Sequence, residues 1–191
     1  MTEHADYTDP RIIKTHRAIR EAFIDLLHEK PFAQIAVQDI LDRAPVNRST
    51  FYKYYSGKSD LAGKMIADFK AEYGALLRTR FQVGSFDAFL NVMPEASYWI
   101  HSRRRLILAL WKVDTRRHHL YRDMHGLIKQ QFLRFARTRP GAAPDKDWDY
   151  QADMLATIIL GSMNYFFSRD LPLRLPEIRQ AWAEMSKLLL A

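Results

Sequence analysis

The chain has 191 residues, 48% of them hydrophobic and 27% charged, which is enough for a sizeable core and too apolar for a disordered protein. It contains no cysteine, which excludes a disulfide scaffold, a thiolate zinc site and a cysteine nucleophile; no apolar run reaches the roughly 18 residues a membrane span needs. The formal net charge of +7 is uneven: residues 1–60 carry nine cations and nine acids, whereas 103–139 carry eleven against two.

In chain order, almost every segment reads as helix. Met1 to Asp6 is acidic and has no apolar stretch, so it does not read as a signal peptide, and a cytoplasmic protein is expected. Asp9 and Pro10 form a start signal, N-cap followed by proline at N1. Ile12, His16, Ile19, Phe23, Leu26 and Leu27 then recur at three- and four-residue spacing, one apolar stripe that Pro31 ends. Val37, Ile40, Leu41 and Ala44 mark a short second helix, closed by Pro45. Asn47 caps a third, Arg48 to Tyr54. Gly57 punctuates, and a longer helix starts near Ser59 or Asp60.

After Gly74 the pattern is of longer helices. Ser85 reads as the cap of one carrying Phe86, Phe89, Leu90 and Met93. Tyr98 to Trp111 is an apolar stretch, and Leu120 to Phe135 keeps helical spacing. Thr138 to Pro144 is the clearest loop. A helix over about Asp147 to Phe167, a turn at Pro172 and Pro176, and a terminal helix to Leu190 complete an all-α chain of about nine helices.

Three short helices with tight turns near an N-terminus predict a helix-turn-helix on a supporting first helix. Val46 and Phe51 anchor the third helix on Ile40 and Leu41, leaving Arg48, Ser49, Thr50 and Lys53 outward. Arginine can read guanine bidentately, and serine or threonine can serve base edges or phosphate. Tyr52 and Tyr54 offer hydroxyls to phosphate, and Lys58 stands at a helix start, where backbone N–H groups favour an anion. Arg43, Arg48, Lys53 and Lys58 lie in an acid-free window, so the signal is local clustering and not net charge. With Gln38 and Asn47 these make the candidate DNA-binding set: Gln38, Asn47, Arg48, Ser49, Thr50, Tyr52, Lys53, Tyr54 and Lys58.

The run from Val46 through Tyr52, Tyr54, Tyr55 and Lys58 to Leu61 resembles the N-terminal signature of TetR/AcrR transcription regulators. Ala22-Phe23, Leu26-Leu27, Pro31-Phe32 and Val37-Gln38-Asp39-Ile40 fit the same pattern. The resemblance implies a helix-turn-helix DNA-binding domain over 9–58 and a larger helical effector-binding and dimerisation domain over 59–191. It implies a homodimer on a pseudo-palindromic double-stranded operator, acting as a repressor that a small-molecule effector releases. In the second part, Ile158 to Met163 and the last helix resemble the dimer-forming helices, giving Ile158, Gly161, Ser162, Tyr165, Ile178, Trp182 and Met185 as interface candidates. An effector pocket is expected among Met65, Phe69, Phe89, Met93, Trp99 and Trp111, the alternative being ordinary core.

Two positions depart from the family pattern. Pro45 stands where relatives often have glycine; a proline ring favours φ near −65°, so the turn is expected to differ. Ala36 lacks the hydroxyl that many relatives place against phosphate, and Gln38 is the candidate replacement.

Other readings are weaker. The excess at 103–139, with Arg103-Arg104-Arg105 and Arg116-Arg117, is either solvated surface, an anion-binding pocket or a field that attracts DNA. His118, His119 and His125 do not converge on one ion at their spacing, so no metal is expected, and no cofactor motif is present. No phosphate loop or nucleophile elbow supports an enzyme. A TetR-like coactivator or protein-interaction factor without an effector is the alternative function.

Overall fold

The computed structural model describes residues 9–81, 95–138 and 147–190. Within them the chain is helical: α1 Pro10–Glu29, a 3-10 turn Phe32–Gln34, α2 Val37–Arg43, α3 Arg48–Tyr54 and α4 Lys58–Phe81. There follow α5 over 95–102, α6 Arg104–Trp111, α7 Leu120–Thr138, α8 Asp149–Ser168 and α9 Leu175–Leu190. The sole strand-like pairing among the described residues is an isolated bridge between Asp114 and His119.

The starts and stops follow the predicted chemistry. Asp9 accepts from the Arg11 backbone N–H at 2.8 Å, with Pro10 in the first turn, and α1 ends two residues before Pro31. Asn47 Oδ1 accepts from the Thr50 N–H at 2.8 Å and opens α3. At α2 the cap residue Ala36 has no side-chain oxygen, so the help is one-sided: Asp39 Oδ2 accepts the Ala36 N–H at 2.7 Å.

Two boundaries differ from the sequence reading. α4 passes through Gly74 to Phe81 without a break. A helical glycine costs about 1 kcal/mol, less than the burial of Phe69, Tyr73 and Leu77 on the same helix returns. Pro176 lies in the first turn of α9, not in the turn before it, a place where its missing N–H costs nothing. The helix expected from Ser85 and the loop before Pro144 lie outside the described residues.

The chain forms two compact units. One comprises residues up to Phe69 together with Ala109–Leu120; the other comprises Lys70–Leu108 with Tyr121–Ala191. The sequence-based division at 58/59 cuts at the start of α4, whereas these units part within it. The first unit is built on Ile19, Phe23 and Leu27 of α1, Ile40 of α2, Phe51 of α3 and Leu61 of α4, each fully buried. The second is built on Ile107, Met124, Ile128, Ala156, Leu160 and Met163. It is also laced by ion pairs: Lys70–Asp123 at 2.8 Å, Arg103–Glu72 at 3.0 Å, Arg104–Asp170 at 2.6 Å and Lys129–Asp149 at 2.9 Å.

Candidate nucleic-acid interface

The third helix is held by one buried aromatic and one cap. Phe51 is fully buried, and Tyr55 just past the helix is 1% exposed, so the inner side of α3 is fixed to the core. That leaves Arg48, Ser49, Tyr52 and Lys53 exposed, and Thr50 and Tyr54 half-buried. A short helix pinned on one side and polar on the other is what insertion into a major groove requires.

The outer side chains are already organised. Arg48 Nη2 donates to Gln38 Oε1 at 2.8 Å, and Gln38 Nε2 donates to Asp42 Oδ1 at 2.7 Å, so α2 and α3 share one polar chain. Asn47 is occupied as the cap and also accepts from Ser49 Oγ at 2.9 Å. Tyr52 stands edge-on to Phe51 and is 47% exposed. Lys53 lies over the Tyr54 ring at 5.5 Å.

Lys58 is placed differently from the sequence reading. Its ammonium donates to the carbonyls of Phe32, Ala33 and Ile35 at 2.9, 3.0 and 2.6 Å, and it lies 4.9 Å from the Phe32 ring centre. An ammonium has three protons, and all three are used. The side chain therefore fastens the turn before α2 rather than projecting toward solvent. Arg43 is likewise engaged, in a two-point pair with Glu29 at 2.6 and 2.9 Å that holds the Glu29 carboxyl below its usual range.

Pro45 overturns the expectation for its turn. Its φ is 25°, positive, the sense that a glycine would take. Both sides of the turn are imposed by helices: the Ala44 N–H closes α2 on the Ile40 carbonyl at 2.9 Å, and Asn47 opens α3. The turn thus keeps the glycine-like geometry, and the strain falls on the proline.

Behind the interface lies a cluster that periodicity alone did not mark. His16 of α1 is 6% exposed; its Nδ1 is 2.7 Å from the Tyr55 hydroxyl, and its ring is 4.3 Å from that of Tyr54. Burial, then the nearby Arg20 and Lys64, push the imidazole below its ordinary pKa. Arg20 in turn donates to Asp68 Oδ2 of α4 at 2.6 Å. The contact joins positions 39 residues apart, which no local pattern encodes.

The remaining predicted sites fall as follows. Met65 and Phe69 are buried in the first unit, which also contains Trp111; Trp99, in the second, lies 3.9 Å beneath the Arg103 guanidinium. Phe89 and Met93 lie outside the described residues. On α8, Gly161 and Tyr165 are exposed, and Ile158 and Ser162 half-buried; on α9, Met185 is exposed and Ile178 half-buried. Trp182 lies on α9, with its side chain outside the described set. His118 faces Ser59 at 3.2 Å, while His125 of the other unit faces Thr157 at 3.2 Å. Among the described residues no helix is long and apolar enough to cross a membrane.

A capped recognition helix on a two-helix support defines a helix-turn-helix protein of all-α architecture. Residues 19–65 match the family described as bacterial regulatory proteins, tetR family. The HTH-type transcriptional regulator YxbF of Bacillus subtilis is 39% identical over 59 residues, 30% of this chain and 16% of that protein. The dhaKLM operon transcriptional activator DhaS of Lactococcus lactis is 39% identical over 49 residues, 26% of each chain. The chain thus matches about a quarter or less of these relatives' length. A TetR transcriptional regulator from Streptococcus agalactiae has the same fold over 92% of this chain and 94% of its own, with a TM-score of 0.59 and 22% identity. The helix-turn-helix segment is thus similar to that of the tetR family, and the fold of the whole chain to that of a TetR regulator.

Proposed function

We propose that the chain is a sequence-specific DNA-binding transcription regulator, a homodimer that docks two α3 helices into successive major grooves of a pseudo-palindromic operator. The observation that carries this is the outer side of α3, where Arg48, Ser49, Tyr52 and Lys53 stand exposed on a helix whose other side is fixed by Phe51. Half-sites about 34 Å apart follow for two such helices related by a two-fold axis.

The dimer is supported by α8. Its buried stripe is Ala152, Ala156, Leu160, Met163 and Phe167, while Tyr150, Met154 and Tyr165 are 72%, 41% and 52% exposed. Exposed apolar side chains at four- and eleven-residue spacing, with Gly161 between them, give a second copy a flat face to cover. Such a protein works in the cytoplasm, beside the DNA. Repression released by a small molecule is the mode proposed; the molecule must bind one conformer better than the other to shift affinity. A second reading, activation through contact with another protein, is favoured by the likeness to DhaS, whose name is that of an activator.

The test is selection of bound duplexes from a random pool by the full chain, followed by footprinting and sedimentation. Two protected half-sites one helical turn apart and a dimer are expected. Unchanged affinity of an Arg48/Tyr52/Lys53 triple-alanine variant would sink the DNA assignment, and a monomer at micromolar concentration would sink the dimer. Transcription with the purified protein on the selected site then separates repression from activation.

A further inference from the structure

The basic excess between 103 and 139 divides between the two units. Arg103 and Arg104 are paired with acids in the second unit. Lys112, Arg116 and Arg117 belong to Ala109–Leu120, the segment that folds with the helix-turn-helix although it lies far from it in sequence. Ala109, Leu110, Val113 and Leu120 are fully buried there, and Lys112 Nζ donates to the His28 carbonyl of α1 at 3.3 Å.

Between these anchors is a tight turn. The Thr115 N–H donates to the His118 carbonyl at 2.8 Å, and Thr115 Oγ1 accepts from the N–H groups of Arg117 and His118 at 3.3 and 3.0 Å. The next pair out, Asp114 and His119, forms the isolated bridge. Arg116 and Arg117 are the two middle residues, both exposed, and among the described residues neither guanidinium pairs with an acid. The turn is seated on α4: His118 Nε2 lies 3.2 Å from Ser59 Oγ, and a Cβ placed on Gly63 would come within 2.7 Å of His118 Cε1. Gly63 therefore admits the ring, and Ser59 is the second residue of α4, adjoining Lys58 and the end of α3.

We propose that Arg116 and Arg117 form a second phosphate-binding element of the DNA interface, carried on the 112–119 turn and held against the first turns of α4. The proposal rests on the DNA-binding reading and extends the contact surface beyond α2 and α3. Two adjacent exposed cations on a turn suit a polyanion, which needs positive charge at the right place; a small anion needs converging donors and walls that exclude water. Contacts of this kind add affinity without reading bases.

The experiment measures binding of full-length protein to a duplex selected from the random pool, as a function of salt. Each phosphate contact contributes about 0.9 to the slope of log K against log salt, so an Arg116→Gln/Arg117→Gln variant, which loses two contacts in each protomer of the proposed dimer, loses about 3.6 from it. Its base preference stays that of the wild type, and Arg116→Lys/Arg117→Lys restores the slope. A slope equal to wild type in the Gln variant overturns the proposal while leaving the DNA-binding reading intact. Failure of the wild type to bind any duplex overturns both. Because both side chains are exposed, melting of the Gln variant at the wild-type temperature confirms that folding is not what changed. Should that variant melt early, Arg116→Glu and Arg117→Glu measured singly decide: slopes equal to wild type overturn the proposal, and a loss in each sustains it.

Discussion

Gln38 of α2 and Arg48 of α3 are joined side chain to side chain, Arg48 Nη2 donating to Gln38 Oε1 at 2.8 Å. The bond holds the first residue of the recognition helix against the helix before it, and Asp42 holds Gln38 from behind at 2.7 Å. An arginine that is already oriented loses less side-chain entropy when it meets a base or a phosphate.

Removing either partner should therefore affect one base position together. Arg48→Ala is expected to cost about 1–3 kcal/mol on the preferred operator and to relax preference at one base pair. Gln38→Ala should lose a smaller amount at that same base pair. The double variant should cost less than the sum of the two. Affinities on a panel of single-base operator variants measure this; strict additivity would mean the two side chains act independently.

Lys53 and Lys58 differ in environment, and their substitutions should differ in kind. Lys58→Met removes the ammonium from three carbonyls of the 32–35 turn, of which that of Phe32 keeps a backbone donor, the Ile35 N–H, so thermal melting should show a loss of about 1–3 kcal/mol. Lys53→Met, on an exposed side chain, should leave melting unchanged and lower the salt slope of DNA binding by about 0.9 per protomer, about 1.8 for the proposed dimer. Equal melting of the two variants would contradict the role given to Lys58.

The helix-turn-helix was legible because its signals are local. Asp9-Pro10, Asn47 and the spacing of Phe51 need only neighbours along the chain, and α3 begins and ends where they place it. The state of the individual cations was not legible. Arg43, Arg48, Lys53 and Lys58 read as four cations in an acid-free window, yet Arg43 is taken by Glu29, 14 residues upstream, and Lys58 by carbonyls 23 to 26 residues upstream. Charge counting along a sequence misses partners supplied by folding. For the same reason the seat of His118 on α4, across 59 residues, has no trace in periodicity, and neither has the grouping of 109–120 with the first unit.

His16 gives the first unit a dependence on pH. The buried imidazole is packed by Tyr54 and Tyr55 and faces Arg20, itself paired with Asp68, and Lys64; together burial and these cations lower its pKa. The unfolded chain then binds a proton more readily than the folded one, so stability is full above the unfolded value of about 6.5 and falls as pH drops through it. Urea unfolding from pH 8 to pH 5 should show this decline, and His16→Gln should flatten it. A wild-type profile that matches the variant's would remove His16 as the cause.

Pro45 is where the chain stores strain. Its φ of 25° lies far from the value near −65° that its ring prefers, and such a residue persists only when its surroundings impose it, at a cost above the roughly 1–3 kcal/mol of an open-chain residue because the ring itself resists that angle. Pro45→Gly removes that cost, since glycine takes positive φ freely. It also loosens the unfolded chain, which gives back about 0.4–1 kcal/mol. The balance favours the variant, and its melting temperature should rise while the α3 cap at Asn47 and the selected operator sequence stay the same. A lower melting temperature would mean that stiffening of the unfolded chain by proline outweighs the strain it carries in the turn.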